Sequence, residues 1–401
     1  MRKPWNQIFT WLLIVSFALG SALPISAEPI PISVEGDPSD VFEVGAEDGS
    51  FNLPCKSAVL MEATTGTVLY TQNANEALPP ASVTKIMTLL LVMEALDAGI
   101  VRLDSTVTVS ANAASMGGSQ VYLKEGEQMS LEDLLKSVVI ASANDAAVAL
   151  AEFVAGSVPS FVEKMNKRAA ELGMTDTKFE NVTGLDDTAE SHLTSAKDIA
   201  LMSRALVAHP TILQYSSIWM DTIRNGEFGL TNTNRLVRFY PGCTGLKTGS
   251  TSKAGFCVSV TAKRDGMSLI CVIMGAESRD SRNAIATQLL DWGFASFGLY
   301  TAEESALEPL SVQGGKEESC PLLCQEFRCV LPKSSLSSVE VRTALPEFLT
   351  APVKAGDAVG TREFYLGEEK IGSVPIVSGA DVPKIDFFEI FSRLLAKFLL
   401  I

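Results

Sequence analysis

The sequence is poor in histidine: His192 and His209 are the only two in 401 residues. That argues against a histidine-rich metal centre, and the seven cysteines supply no thiolate pairs at the usual zinc spacing. Positive charge is also short, with 32 Lys and Arg against 47 Asp and Glu and a net charge of −15, which disfavours nucleic acid as a partner. Long apolar runs are few. Phe9 to Leu19 is short for a membrane span, and the terminal stretch Ile385 to Ile401 carries charges throughout. What remains is an ordinary folding composition, 47% hydrophobic and 20% charged, in a chain long enough for a large core or two domains.

Residues 1–27 read as a secretory signal peptide: Arg2 and Lys3 lead the apolar core, and Pro24-Ile25-Ser26-Ala27 supplies a cleavage site. The competing reading is an uncleaved anchor; either way the rest of the chain lies outside the cytoplasm. Removing Arg2 and Lys3 takes the charge from −15 to −17. Residues 28–50 are acidic and aperiodic, a flexible leader. In an exported chain an odd number of cysteines needs an account. Cys257 and Cys271 sit in apolar runs and read as buried small hydrophobes, whereas a disulfide within the cluster Cys320, Cys324 and Cys329 is open. Cys243 reads as structural, with a reactive thiol as the alternative.

The organising stretch is Pro79-Pro80-Ala81-Ser82-Val83-Thr84-Lys85, followed by the apolar run Ile86 to Met93. Proline is tolerated only in a first turn, so the pair marks the start of a buried helix. Ser82 then lies near its N-terminus, where free amides favour developing negative charge, and Lys85 is one turn on. Burial lowers a lysine pKa, so a neutral amine can take the serine proton. A second polar cluster interrupts two apolar helices at Ala141-Ser142-Ala143-Asn144-Asp145, with Ser142 and Asn144 pointing the same way if the piece is extended. The third is Thr244-Gly245-Leu246-Lys247-Thr248-Gly249-Ser250, ahead of a hairpin turned by Asp265-Gly266. Lys247 and Thr248 suit a substrate carboxylate, and Gly249 leaves room for a ligand backbone to approach. Each cluster alone has a bland reading, as cap, corner or solvated edge strand. All three in order, each in a sensible local context, do not.

The triplet S-x-x-K, S-x-N and K-T-G resembles the signature of serine penicillin-recognising enzymes, and the chain resembles their D-alanyl-D-alanine carboxypeptidase family. The likeness extends to Leu172-Gly173-Met174, to Asn181-Val182-Thr183-Gly184-Leu185 and to Leu290-Asp291-Trp292-Gly293-Phe294, covering roughly residues 58–297. It implies an α/β fold: a transpeptidase-like domain over residues 51–300, with an antiparallel sheet flanked by helices. A small all-β stalk over residues 301–382 and an amphipathic membrane-anchoring helix over residues 383–401 follow. Packing of that helix against the β domain is its alternative.

The resemblance also implies roles. Ser82 attacks the penultimate D-alanine carbonyl of a peptidoglycan stem peptide, Lys85 takes its proton and Ser142 relays one to the leaving group. The backbone amides of Ser82 and Ser250 hold the oxyanion. Asn144, Lys247, Thr248, Gly249, Ser250 and Arg282 bind substrate, with Arg279 competing for the last place. β-Lactams inhibit, no cofactor or metal is used, and the enzyme sits on the outer face of the bacterial cytoplasmic membrane. Alternatives within the superfamily are a transpeptidase, an endopeptidase or a β-lactamase, although Phe179 to Thr194 lacks the E-x-x-x-N of a deacylating loop. An inactive muropeptide sensor is the alternative of a different class, but it should have lost Ser82 or Lys85.

Overall fold

The computed structural model describes residues 53–185 and 191–399. The signal peptide and leader predicted over residues 1–27 and 28–50 lie outside these.

The N-terminal part is built on one five-stranded antiparallel sheet. Its strands are β1 (Ser57–Glu62), β2 (Val68–Gln72), β3 (Cys243–Thr251), β4 (Gly255–Arg264) and β5 (Met267–Ala276). The order is β2-β1-β5-β4-β3, so the chain's first hairpin lies beside its last strand of this sheet. Strand periodicity of two explains two cores. Val59 and Met61 of β1 join Ile270, Val272 and Met274 of β5 on one face, while Ala58 and Leu60 join Leu269, Cys271 and Ile273 on the other. The second face is closed by one long helix, α6 (Arg279–Ser296), through Ile285, Leu289, Leu290 and Phe294.

The first face carries the helical layer: α1 (Lys85–Asp97), α2 (Leu131–Ala141), α3 (Asn144–Ala155), α4 (Val158–Glu171) and α5 (Ala196–Val207). Helix α1 is apolar nearly all round, and Ile86, Met87, Leu90, Val92 and Met93 are at most 1% exposed, which makes it the central helix of the layer. Each such side chain contributes about 1.5–3 kcal/mol by leaving water. Side chains cap the starts of α2 and α5: Ser130 accepts from Asp133 N at α2 and Ser195 from Asp198 N at α5.

Beyond α6 the chain is β-rich, as expected. Strand β6 (Phe297–Ala302) pairs antiparallel with β9 (Phe327–Pro332). A second sheet holds β7 (Ser305–Gln313), β8 (Ser319–Cys324), β10 (Val339–Ala344), β11 (Ala358–Leu366) and β12 (Glu369–Ser378), in the order β10-β11-β12-β8-β7 with the short strand Leu349–Thr350 at its far edge. Gly356 and Gly367 take the positive φ of turns. Gly360 lies at a register shift inside β11, where a Cβ would come within 2.5 Å of Ala344 O. All seven cysteines are free, so the cluster Cys320, Cys324 and Cys329 forms no disulfide. Cys320 and Cys324 sit on the inward face of β8, where they pack as apolar side chains.

The chain closes with α7 (Phe387–Leu399), whose polar side is tied to Lys316 by Glu389 at 3.2 Å and by Arg393, which donates to the Lys316 carbonyl. Its apolar side chains Phe387, Phe388, Phe391, Leu394 and Phe398 are exposed. No single described helix is long and apolar enough to cross a membrane.

The tightest backbone approach in the fold is at Gly184, with φ +81°, where a Cβ would fall 1.8 Å from Ala81 O. Gly184→Ala must therefore push the loop off the start of α1. Left-handed strain and overpacking together should destabilise by about 3 kcal/mol, read as a clear drop in melting temperature. An unchanged melting temperature would show that the contact is not made.

Candidate active site

Pro79 and Pro80 stop any helix before Ala81, so α1 is entered through a single 3-10 turn, Ala81–Thr84, with the half-buried Ser82 in it. Ala81 has φ +50°, a left-handed conformation that costs an alanine free energy and must be held from outside. Three contacts hold it. Gly184 packs on the Ala81 carbonyl, Thr84 Oγ1 donates to that carbonyl at 2.9 Å, and Gly249 of β3 presses on the turn from the sheet. A Cβ at Gly249 would sit 2.9 Å from Ser82 N and 2.8 Å from Pro80 O. The space this glycine leaves is thus filled by the chain's own backbone, a correction to the expectation that it admits a ligand's. His192 braces this turn: its Nδ1 accepts from Glu180 N at 3.0 Å, which leaves Nε2 as the donor to Thr84 Oγ1 at 2.8 Å.

Lys85 is fully buried, and its Nζ lies 2.8 Å from Ser82 Oγ and donates to Thr183 O at 3.0 Å. Burial holds its pKa well below the ordinary lysine value, and the nearby Lys247 pushes it down further, against a smaller opposing pull from Asp145. Asp145, also fully buried, accepts from Val121 N at 3.1 Å and Leu123 N at 3.0 Å, which clamps the 117–123 loop to the start of α3.

The corner between α2 and α3 is not extended, as the sequence reading supposed. Ser142 takes a left-handed conformation, φ 62° and ψ 29°, as the C-terminal cap of α2, and Asn144 is already the first residue of α3. The turn sends their side chains to different partners. Ser142 Oγ accepts from Lys247 Nζ at 2.7 Å, whereas Asn144 Nδ2 donates to Gly117 O at 2.7 Å and its backbone N to Ser119 O at 2.7 Å. Asn144 Oδ1 is buried with no hydrogen-bond partner in the protein, an acceptor left for a donor that comes from outside.

Lys247 is 1% exposed on β3; besides Ser142 its Nζ donates to Thr248 O at 3.0 Å. Burial, and then the charge of Arg282, bring its pKa down to about 7. Arg282, on α6, is 2% exposed and donates to Cys257 O and to Asn283 Oδ1, and burial with the charges of Arg279 and Arg235 lowers it to about 10. Cys243 is no reactive thiol: burial raises its pKa to about 11.

Ser82, Ser142, Thr248, Gly249, Ser250 and Arg282 line one cleft of about 570 Å³. Lys85 and Lys247 lie beneath it, each hydrogen-bonded to one of its serines. Asn144 braces the loop that carries Ser119, also in the lining. The structure so brings all nine residues singled out in the sequence around one space. It adds Thr233, whose Oγ1 accepts from Thr248 Oγ1 at 2.8 Å, together with Trp219, Arg235 and Phe239, and it places Arg279, the competitor of Arg282, in the same lining. Residues 219–239 show no periodicity that flags them; only the fold carries them to the cleft. Among the described residues no cluster of three His, Cys, Asp or Glu side chains could hold a metal.

The family model for D-alanyl-D-alanine carboxypeptidase matches residues 44–278, more than half of the chain. The chain belongs to the D-alanyl-D-alanine carboxypeptidase family. A second model, the C-terminal domain of penicillin-binding protein 5, matches residues 294–384. Among curated carboxypeptidases of this family, DacF of Bacillus subtilis is 41% identical over 346 residues, 84% of this chain and 88% of that one. DacC of Escherichia coli is 36% identical over 84% of this chain and 86% of its own length. Of solved structures, penicillin-binding protein 5 from Haemophilus influenzae superposes with a TM-score of 0.73 at 31% identity, covering 83% of this chain and 99% of that one. Penicillin-binding protein D2 from Listeria monocytogenes, solved with ampicillin bound, has a TM-score of 0.56 at 32% identity and covers 61% of this chain and 99% of its own.

The buried lysines of this carboxypeptidase-family site make stability depend on pH in a definite direction. Lys247 titrates near 7 when folded but at about 10.4 when unfolded. Between those values the unfolded chain binds the extra proton, so stability rises with pH by up to about 1.4 kcal/mol per pH unit and is flat below about 7. Lys247→Met should remove most of that rise between pH 7 and 9 in denaturant melts. An identical slope in the variant would mean that Lys247 stays charged in the fold.

Proposed function

We propose that the chain is a serine-type D-Ala-D-Ala carboxypeptidase that removes the terminal D-alanine from peptidoglycan stem pentapeptides and is acylated by β-lactams at the same serine. The observation that carries this reading is Lys85 Nζ, wholly buried and 2.8 Å from Ser82 Oγ. An amine that burial keeps neutral can accept the hydroxyl proton as Ser82 Oγ bonds to the carbonyl carbon of the penultimate D-alanine. The backbone amides of Ser82 and Ser250 stabilise the oxyanion. As the tetrahedral intermediate collapses, the C–N bond breaks and the leaving amine takes a proton through Ser142, which Lys247 orients at 2.7 Å. Water then attacks the acyl-enzyme, releases the tetrapeptide and returns the proton to Ser82.

Substrate recognition follows from the same geometry. Lys247, Thr248 and Arg282 receive the terminal carboxylate, and the unpaired Oδ1 of Asn144 accepts from a peptide N–H of the substrate. Gly249 contributes by letting β3 lie against the Ser82 turn. We assign residues 51–300 to the catalytic domain, 301–382 to a β-rich stalk and 383–401 to the anchor. The last assignment is supported by α7, whose charged side faces Lys316 and whose phenylalanines and leucines point outward; such a helix lies on a bilayer surface. The enzyme then works outside the cytoplasm, peripherally held on the outer face of the cytoplasmic membrane.

Two measurements test this. Mass spectrometry after brief exposure to benzylpenicillin should show one adduct, located on Ser82 and absent from Ser82→Ala, with D-alanine release from a stem pentapeptide lost in the same variant. An adduct elsewhere would overturn the assignment of the nucleophile, and rapid penicillin turnover without D-alanine release would favour a β-lactamase. For the anchor, the mature chain should co-sediment with vesicles of phosphatidylglycerol and phosphatidylethanolamine. Phe391→Asp with Leu394→Asp should leave it in the supernatant while acylation is unchanged; sedimentation of that variant would place attachment elsewhere.

A further inference from the structure

The cleft has a charge that the proposed chemistry does not use up. Arg235, Arg279 and Arg282 all line it, in addition to the buried Lys247 beneath, and among the described residues no Asp or Glu side chain is in the lining. Arg235 lies in the polar stretch that leads into a short helix, and Arg279 is the first residue of α6; both are exposed at the rim while Arg282 is buried below them. The charges are close enough to act on each other, since Arg279 and Arg235 both lower the Arg282 pKa, with Cys257 and Asp280 opposing them. Among the described residues none of the three arginines is in an ion pair. In a chain with 47 acidic residues against 32 basic ones, carboxylates to neutralise them were not scarce. Three guanidiniums set together without a counter-charge lose free energy by mutual repulsion, and an anion entering the cleft relieves it.

One terminal carboxylate is met by Lys247, Thr248 and Arg282 in the depth of the cleft. Arg235 and Arg279 are left over, at the mouth. We propose that Arg235 and Arg279 form an outer cationic ring that draws the anionic substrate out of the field of an otherwise acidic protein and delivers its carboxylate to the inner group. They are positioning residues: they act on encounter and binding, before the acyl bond forms. Clefts lined by one sign of charge focus the field and raise both local ligand concentration and on-rate. The inference rests on the carboxypeptidase reading of the site and extends it to the rim. It also predicts a preference: a ligand with two carboxylates gains more from the ring than a ligand with one.

The test is the second-order rate constant for Ser82 acylation by benzylpenicillin, with one carboxylate, and carbenicillin, with two. It is measured on the full mature chain at about 20 mM and about 0.5 M salt, where screening lengths run from about 20 Å to a few ångströms. At low salt Arg235→Gln with Arg279→Gln should slow benzylpenicillin about fivefold and carbenicillin by more. At high salt the difference from wild type should close to within about twofold, and Arg235→Lys with Arg279→Lys should restore most of the low-salt rate. A variant slowed equally at both salts would show a structural role and overturn the ring, as would one not slowed at all. A wild-type chain that forms no Ser82 adduct would overturn the underlying reading as well. Normal acylation with unaltered salt dependence in the variant would overturn only the ring.

Discussion

The structure depends on one costly placement: an amine that the fold takes out of water and sets against a hydroxyl. Lys85 is fully buried, and a charged ammonium there would be expensive. The fold meets this by favouring the neutral form and by giving Nζ two oxygens, Ser82 Oγ and Thr183 O. Everything near it keeps those oxygens in place. Thr183 belongs to the loop whose Gly184 fits under Ala81, so the partner of the amine and the support of the nucleophile's turn are neighbours in sequence. Thr84 and His192 fasten the same turn from the helix side. The left-handed Ala81 is thus not a local preference but the consequence of contacts from three separate segments, as strain at a functional residue generally is.

A second buried lysine lowers the pKa of the first. Lys247 and Lys85 stand on opposite elements, a strand and a helix, and each carries a serine: Ser142 for one, Ser82 for the other. Desolvation lowers the pKa of both; the charge of Lys247 adds to it at Lys85, and the charge of Arg282 adds to it at Lys247. Asp145 could have cancelled this, yet its carboxylate is occupied by the amides of Val121, Leu123 and Ala146, and it acts on Lys85 only as the smallest of three influences. One side chain therefore shapes the cleft wall while sparing the base from a full counter-ion. The arrangement leaves Lys85 short of a proton and Lys247 poised near neutrality, where an arriving carboxylate restores its charge.

Much of this was legible in the sequence because the chemistry is carried by short local patterns. The paired prolines before an apolar run located the turn, and the alternation in β1 and β5 gave the sheet its two faces. The three polar clusters were found where chain direction changes, and the structure sets them around one cleft. What escaped was whatever depends on the packing of distant segments. The conformation of Ser142 could not be read, because a left-handed cap at a serine has no sequence mark of the kind glycine leaves. The role of Gly249 was assigned to a ligand because the neighbour that needs the space, the Pro80–Val83 backbone, is more than 160 residues away in the chain. Thr233 and Arg235 come from a polar stretch with no period, and only the fold reveals that they face the same space as Thr248. In the β-rich part, the exported character of the chain made a disulfide plausible, but inward-facing positions on β8 bury two of the three cysteines as core residues.

Charge is distributed in the molecule by a rule that composition alone hides. The chain as a whole is strongly acidic, whereas the described residues that line the cleft include three arginines and no acidic side chain. An acidic protein repels an anionic substrate at long range, so attraction must be restored locally, and it is strongest where low-dielectric walls prevent screening. The cleft meets that condition in depth: exposed arginines at the rim, a buried arginine below them and a buried lysine at the floor, in order of increasing desolvation. Each step inward trades solvation of the ligand's carboxylate for a less screened cation, so the free energy of entry need not pass through an unpaired, dehydrated anion. The desolvation that lowers the Lys85 pKa also acts on Lys247 and Arg282, and it requires that water be kept from the floor. Helix α1 backs that floor with side chains buried from Lys85 to Leu90.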